Sequence, residues 1–234
     1  MRRGGLFVRP IGPGAAMPSA SIEDYIKTIY GLESRGQKPT TGRIARELGI
    51  TMGSVSGRVR HLADKGYVDH RPYYGVTLTD RGRRVALKML RRHRLIELFL
   101  VKTLGLTWDE VHADAEILEH AVSDRVLERM YEVLGQPEFD PHGSPIPDRN
   151  GKLRRHKAVR LSDLGVGARG RVVEVSDSDG AFLRYLTSVG LDVGTPVRLD
   201  DRAPFGGPLV LCIGRRQLAI GPDAAERILV ELDA

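Results

Sequence analysis

The sequence predicts an α+β protein of several domains: an N-terminal winged helix-turn-helix, an all-α middle section rich in metal-ligand side chains, and a small C-terminal β-barrel. Three observations carry this. Two helical segments separated by only Gly49-Ile50-Thr51 are followed by a pair of short strand patterns, the spacing of a helix-turn-helix with a wing. Helical periodicity then fills most of residues 80–135. Past a Pro-, Gly- and charge-rich stretch, Val- and Leu-rich strands alternate with glycine turns.

The chain of 234 residues has room for one large domain or two to three small ones. No apolar run approaches membrane-spanning length, so no membrane partner is expected. Residues 1–20, MRRGGLFVRPIGPGAAMPSA, lack the apolar core of a signal peptide and read as a disordered leader, with Met17 as an alternative start. Cys212 is the single cysteine, which excludes an internal disulfide and makes the cytoplasm the default location. Charge is uneven. Residues 1–92 carry 18 Lys and Arg against 7 Asp and Glu, whereas residues 93–234 carry 18 against 23. The basic half calls for an anionic partner.

Ser21 to Arg35 begins with a capping serine, places Glu23 and Asp24 in the first turn and repeats apolar residues at helical spacing. Thr40 or Thr41 can cap a second helix through Leu48. Thr51 to Ser54 opens a third that ends at Lys65-Gly66. Tyr67 to His70 and Val76 to Thr79 are the strands of the wing. In this arrangement the third helix enters the major groove by its N-terminal end, which offers Ser54, Ser56 and Arg58 to bases and phosphates, with Arg60 and the wing residues Arg71 and Tyr73 nearer the backbone. Serines and glycines read few base edges directly, so methyl contacts and DNA shape share the specificity.

Asp80 to Leu104 reads as a long helix in which His93 and Glu97 stand at i and i+4, on one face. Thr107 to Gly135 reads as the next helix. At 100° per residue, His112, Glu116, Glu119 and His120 fall within roughly a 100° arc of it. Two imidazoles and two carboxylates on one face suit zinc, iron or manganese. Carboxylates alone would be solvated surface charge; the flanking histidines argue otherwise. The two helices carry more apolar surface than one neighbouring core needs, and the surplus reads as a homodimer interface. Residues 136–157 look like a linker. About five strands and one helix near 180–190 follow.

Enzyme and storage motifs do not fit these residues. Leu118-Glu119-His120 ends like the inverted zinc-protease motif, but Glu116 or Ile117 stands where its second histidine must be. Ferritin-like di-iron sites need Glu three residues before His, and Ile117 precedes His120 by three. The sequence is therefore not that of an enzyme by motif, and a metal-storage module would not need the basic winged helix.

The winged helix, the segments HRLIE and VHADAEILEHAVSD, the HGSPIP segment and the C-terminal barrel together resemble the diphtheria toxin repressor family of metal-dependent regulators, over residues 21–234. That resemblance implies a homodimer binding palindromic operator DNA when intracellular manganese or iron is bound, and a barrel of the SH3-like, FeoA type. By position it implies a primary site of Asp24, Glu116, Glu119 and His120 and an ancillary site of His93, Glu97 and His112, two metals per subunit. Asp179 falls at the acidic position that the barrel contributes, with Phe182 where an amide would be. The iron-responsive branch has Met and Cys at the positions of Asp24 and Glu116. Oxygen at both places this chain with the manganese-responsive branch and favours Mn(2+) over Fe(2+). Lys27 stands where short manganese regulators carry a bridging glutamate, which speaks against their binuclear geometry. The expected boundaries are 1–20 for the leader, 21–84 for the DNA-binding domain, 85–140 for the dimerisation and metal-binding domain, 141–157 for the linker and 158–234 for the barrel.

Overall fold

The computed structural model describes residues 22–71 and 74–233. The leader, Ser21 and Tyr73 lie outside the described residues. The described residues form two compact units, divided between Arg83 and Arg84.

The first unit is a winged helix. Helices α1 (Ile22–Ser34), α2 (Thr41–Leu48) and α3 (Met52–Asp64) precede strands β1 (Val68–Arg71) and β2 (Gly75–Leu78). Each helix end follows from its sequence. The Thr40 side chain accepts the Arg43 amide, Gly49 ends α2 in the left-handed region at φ 65°, and the Thr51 side chain accepts the Ser54 amide to start α3. Ile26, Ile29 and Leu32 of α1, Ile44 of α2, and Val55, Val59 and Leu62 of α3 are fully or nearly fully buried, the apolar face that spacing predicted. The strands pair antiparallel from Val68↔Leu78 to Arg71↔Gly75, each one residue from its expected place. Glu33 of α1 accepts the Leu78 amide at 2.9 Å and pairs with Arg83 at 2.8 Å, which ties the wing to α1.

The second unit contains most of α4 (Asp80–Leu104), then α5 (Val111–Ala121) and α6 (Asp124–Val133). The single helix expected over 107–135 is thus two. Val122 turns extended (φ −69°, ψ 127°), and the Ser123 side chain accepts the Val126 amide as a new N-cap, with Asp124 in the first turn. Leu95, Ile96, Leu98 and Leu100 pack with Val111, Ala115 and Leu127 in one core. Ile117 remains 71 % exposed, and Leu104, Val126 and Val133 are also exposed.

Residues expected to form a linker are instead packed over their first half. Residues 140–147 are buried apart from half-buried Pro141, and Phe139 and Pro145 form a β-bridge. The Asp140 Oδ1 accepts the amides of His142 and Ser144, both at 2.9 Å, and folds the strap back on itself. A segment rich in Pro and Gly can be buried because its polar backbone finds such partners.

Beyond it lies an antiparallel sheet of six strands, one more than expected: β3 (Ala158–Arg160), β4 (Arg169–Val175), β5 (Pro196–Arg202), β6 (Leu209–Ile213), β7 (Arg216–Ile220) and β8 (Ile228–Leu232), in the order β3-β8-β4-β5-β6-β7. Helix α7 (Gly180–Ser188) covers its core with Leu183 and Leu186 against Val172, Leu199 and Leu211. Among the described residues no helix is long and apolar enough to cross a membrane.

Candidate metal centre

Helices α4 and α5 bring His93, Glu97, His112, Glu116 and Glu119 together. His93 is the hub. Its Nδ1 lies 2.6 Å from the Glu119 Oε2 and 3.8 Å from the Glu116 Oε1, while its Nε2 lies 2.9 Å from the Glu97 Oε1 and 3.1 Å from the His112 Nδ1. His112 reaches the same Glu97 oxygen at 3.2 Å and Glu116 at 3.7 Å; His120 stands 3.7 Å from Glu119. The expected ancillary trio is therefore assembled, whereas of the expected primary residues on α5, Glu116 gathers with Glu119 and His93, and His120 adjoins Glu119 alone among them. Asp24 stands half-buried in the first turn of α1, in the other unit. The Glu119 backbone carbonyl accepts the Arg92 Nε at 2.8 Å. Arg92 also donates to the Val122 carbonyl and pairs with Asp124, which holds α5 at its C-terminal end.

The strap adds two residues that sequence reasoning missed. Asp140 and His142 gather with Glu97 into a third group of possible ligands, all buried: Glu97 and His142 are 0 % exposed and Asp140 5 %. The His142 Nδ1 lies 3.9 Å from the Glu97 Oε2 and 4.0 Å from the Asp140 Oδ1. Its Nε2 donates to the Trp108 carbonyl at 2.8 Å, and the two rings stack at 5.7 Å. A carbonyl can only accept, so Nε2 carries a proton, and in the tautomer with that proton alone the lone pair lies at Nδ1. Glu97 Oε2, Asp140 Oδ2 and His142 Nδ1 have no hydrogen-bond partner. Arg94 Nε approaches the Asp140 Oδ2 to 3.4 Å as an ion pair without hydrogen-bond geometry.

Burial is opposed by neighbouring groups at both Glu97 and Asp140. Burial pushes the Glu97 carboxyl up, but hydrogen bonds from His112 and His93 outweigh it and hold the group well below the usual carboxylate range. Burial raises Asp140 to about 7, opposed by Arg94 and reinforced by the charges of Glu97 and Asp177. His112 is raised, first by its hydrogen bond to Glu97. Glu97 Oε2, Asp140 Oδ2 and His142 Nδ1, buried without hydrogen-bond partners, together cost several kcal/mol as a rough sum. A divalent ion bound by oxygen and nitrogen satisfies all three.

Asp179 is a correction. Its Oδ1 accepts the Ala181 and Phe182 amides as the N-cap of α7, its Oδ2 lies 3.7 Å from Arg227, and among the described residues no group of possible ligands includes it. Phe182 is a core residue under the Arg227 guanidinium. Ser-Asp-Gly before an apolar run is a helix start, and that signal was in the sequence.

On the winged helix, Ser54, Ser56 and Arg60 are exposed along α3 and Arg71 ends β1, exposed. The Ser54 hydroxyl is shared with Thr51 at 2.9 Å, and the Ser56 hydroxyl is donated to the Met52 carbonyl at 3.0 Å, leaving its lone pairs outward. Arg58 is half-buried beside the buried Tyr25 hydroxyl, which burial pushes up and Arg58 pulls down. Met52, 62 % exposed at the start of α3, is the apolar side chain available for methyl contacts.

A winged helix followed in the chain by a carboxylate- and imidazole-lined helical pair defines a metal-responsive helix-turn-helix protein. The comparisons with known proteins make this specific. Residues 17–76 match the iron dependent repressor N-terminal DNA binding domain, residues 79–148 the iron dependent repressor metal binding and dimerisation domain, and residues 159–232 the FeoA domain. The iron-dependent repressor IdeR of Mycobacterium leprae is 31 % identical over 223 residues, 90 % of this chain and 96 % of that protein. The diphtheria toxin repressor of Corynebacterium glutamicum is 32 % identical over 222 residues, with the same coverage. A solved manganese-dependent transcriptional repressor in complex with manganese is 41 % identical with a TM-score of 0.86, covering 91 % of this chain and all of that one, and the manganese regulator SloR is 32 % identical with a TM-score of 0.74 over 91 % and 98 %. The chain belongs to the diphtheria toxin repressor family of metal-dependent repressors.

Proposed function

We propose that this chain is a cytoplasmic homodimeric transcription regulator, a repressor of metal-uptake genes, whose winged helix binds a palindromic operator when Mn(2+) is bound. The observation that carries the metal is the donor set: every ligand candidate around His93 and Glu97 is oxygen or imidazole nitrogen, with Glu116 rather than a thiolate on α5. We read Asp24, Glu116, Glu119 and His120 as the primary site, with His93 beside it. A second site falls on Glu97. His93, Glu97 and His112 are its expected ligands; the unpartnered atoms favour Glu97, Asp140 and His142, because in the former trio the oxygen shared is already hydrogen-bonded.

Bound metal supplies the positive charge that neutralises these carboxylates and ties the elements bearing them together. The chain's own residues do the rest. Arg92 and Ser123 set where α5 ends, the exposed apolar residues of α5 and α6 are the surface offered to a second copy, and Ser54, Ser56, Arg58, Arg60, Arg71 and Tyr73 face DNA. Metal and operator then strengthen each other's binding by one factor. Iron is the second reading, favoured by the iron-dependent relatives. Fluorescence anisotropy of operator fragments with chelator, Mn(2+) and Fe(2+) at fixed salt separates the readings. Tightest binding with Mn(2+) supports this one; equal affinity in all three overturns the switch.

A further inference from the structure

We propose that strand β4 of the sheet domain aims the second metal site through Gly143 and the Ser144–Glu174 hydrogen bond. This rests on reading Glu97, Asp140 and His142 as that site. Three consecutive strap residues are fastened to three consecutive residues of β4. The Val175 amide donates to the His142 carbonyl at 2.9 Å, and the Ser144 hydroxyl donates to the Glu174 Oε1 at 2.9 Å. Between them Gly143 adopts φ +84°, and a Cβ there would lie 1.8 Å from the Val173 carbonyl oxygen. No side chain fits: the strap backbone passes against β4 at the closest approach a glycine allows. From the other side, the His156 Nε2 donates to the Gly143 carbonyl at 3.0 Å.

These contacts bear on the ligands directly. The amides of His142 and Ser144 hold the Asp140 Oδ1, which lies 4.0 Å from the His142 Nδ1, and Oδ2 is left without a hydrogen-bond partner. The His142 carbonyl held by β4 belongs to the residue whose Nδ1 is the nitrogen donor. Metal sites tolerate ligand displacements of only about 0.2 Å, so a strap moved by the width of one methyl group no longer presents Asp140 and His142 to Glu97 together. Gly143 and Glu174 are positioning residues, and the sheet domain sets how many metals the chain holds.

Equilibrium dialysis against Mn(2+), with bound metal counted per chain, tests this on the full-length protein. Wild type is expected to bind two ions. Gly143→Ala, Ser144→Ala and Glu174→Ala each weaken the second by about ten- to a hundredfold and leave the first within about twofold. Glu174→Gln keeps an oxygen for the Ser144 hydroxyl and retains both, which a purely electrostatic role of Glu174 would not allow. Should Gly143→Ala fail to fold by its melting curve, the Glu174→Ala and Glu174→Gln pair decides. Wild-type binding of both ions by Glu174→Ala overturns the proposal. Two ions of wild-type affinity in His142→Ala instead overturn the reading of the site itself.

Discussion

The two oxygens of Glu97 live in different worlds. Oε1 is saturated by His93 and His112 in a hydrogen-bonded network, while Oε2 lies 3.9 Å from the His142 Nδ1 and, like it and the Asp140 Oδ2, has no hydrogen-bond partner. A protein that needed only structure at this point would have closed both sides. The difference teaches that burial with satisfied hydrogen bonds organises a cluster, whereas burial without them leaves a place for an ion.

The largest effects should fall on the open side. His142→Ala is expected to weaken the second Mn(2+) at least a hundredfold, since it removes a ligand, whereas His112→Ala, on the half-exposed side of the network, should weaken it less than tenfold. Isothermal titration of the two variants compares the sides directly, and a reversed order would break the comparison.

Next comes the metal-free stability. Burial raises Asp140 to about 7, so the folded chain holds this proton more tightly than the unfolded one. The stability tied to it is fully present below the unfolded carboxylate value near 3.8 and is lost as pH rises through about 7. Asp140→Asn keeps the oxygen that accepts two amides and removes the charge. In chelator its unfolding free energy should overtake that of wild type increasingly between pH 5 and pH 8, by about 1–2 kcal/mol at the upper end, read by denaturant melts. With saturating Mn(2+) the order should reverse, because ligand binding stabilises only the chain that keeps the site.

Smaller effects sharpen the contrast between the metal centre and the DNA-facing helix. Arg60→Ala, exposed on α3, should lower DNA affinity for all sequences, reduce the salt slope by about 1, and leave both metal affinities alone. Ser123→Ala, which removes the cap that opens α6, should lower thermal stability by about 1 kcal/mol with metal affinity little changed.

What could be read from the sequence follows the range of the interactions. The winged helix and the ligands of α4 and α5 were legible because i, i+4 spacing and capping threonines are local facts: Thr40 and Thr51 cap where they were expected to, and His93 meets Glu97 one turn on. The break at Val122-Ser123 was local too, a serine followed by aspartate inside a helical pattern, but the continuous ligand face hid it. Asp140 and His142 were not legible. Nothing in a Pro- and Gly-rich stretch says that it will be buried, and their partners lie on α4 and β4, tens of residues away. Asp179 failed for the opposite reason: a position taken from a resemblance outweighed the helix cap that its own neighbours spell.

The most direct measurement is the anomalous scattering of crystals loaded with Mn(2+). The account predicts one peak beside Glu116, Glu119 and His120 and a second among Glu97 Oε2, Asp140 and the His142 Nδ1. A second peak on the Oε1 side, among His93, Glu97 and His112, with none beside His142, would contradict it.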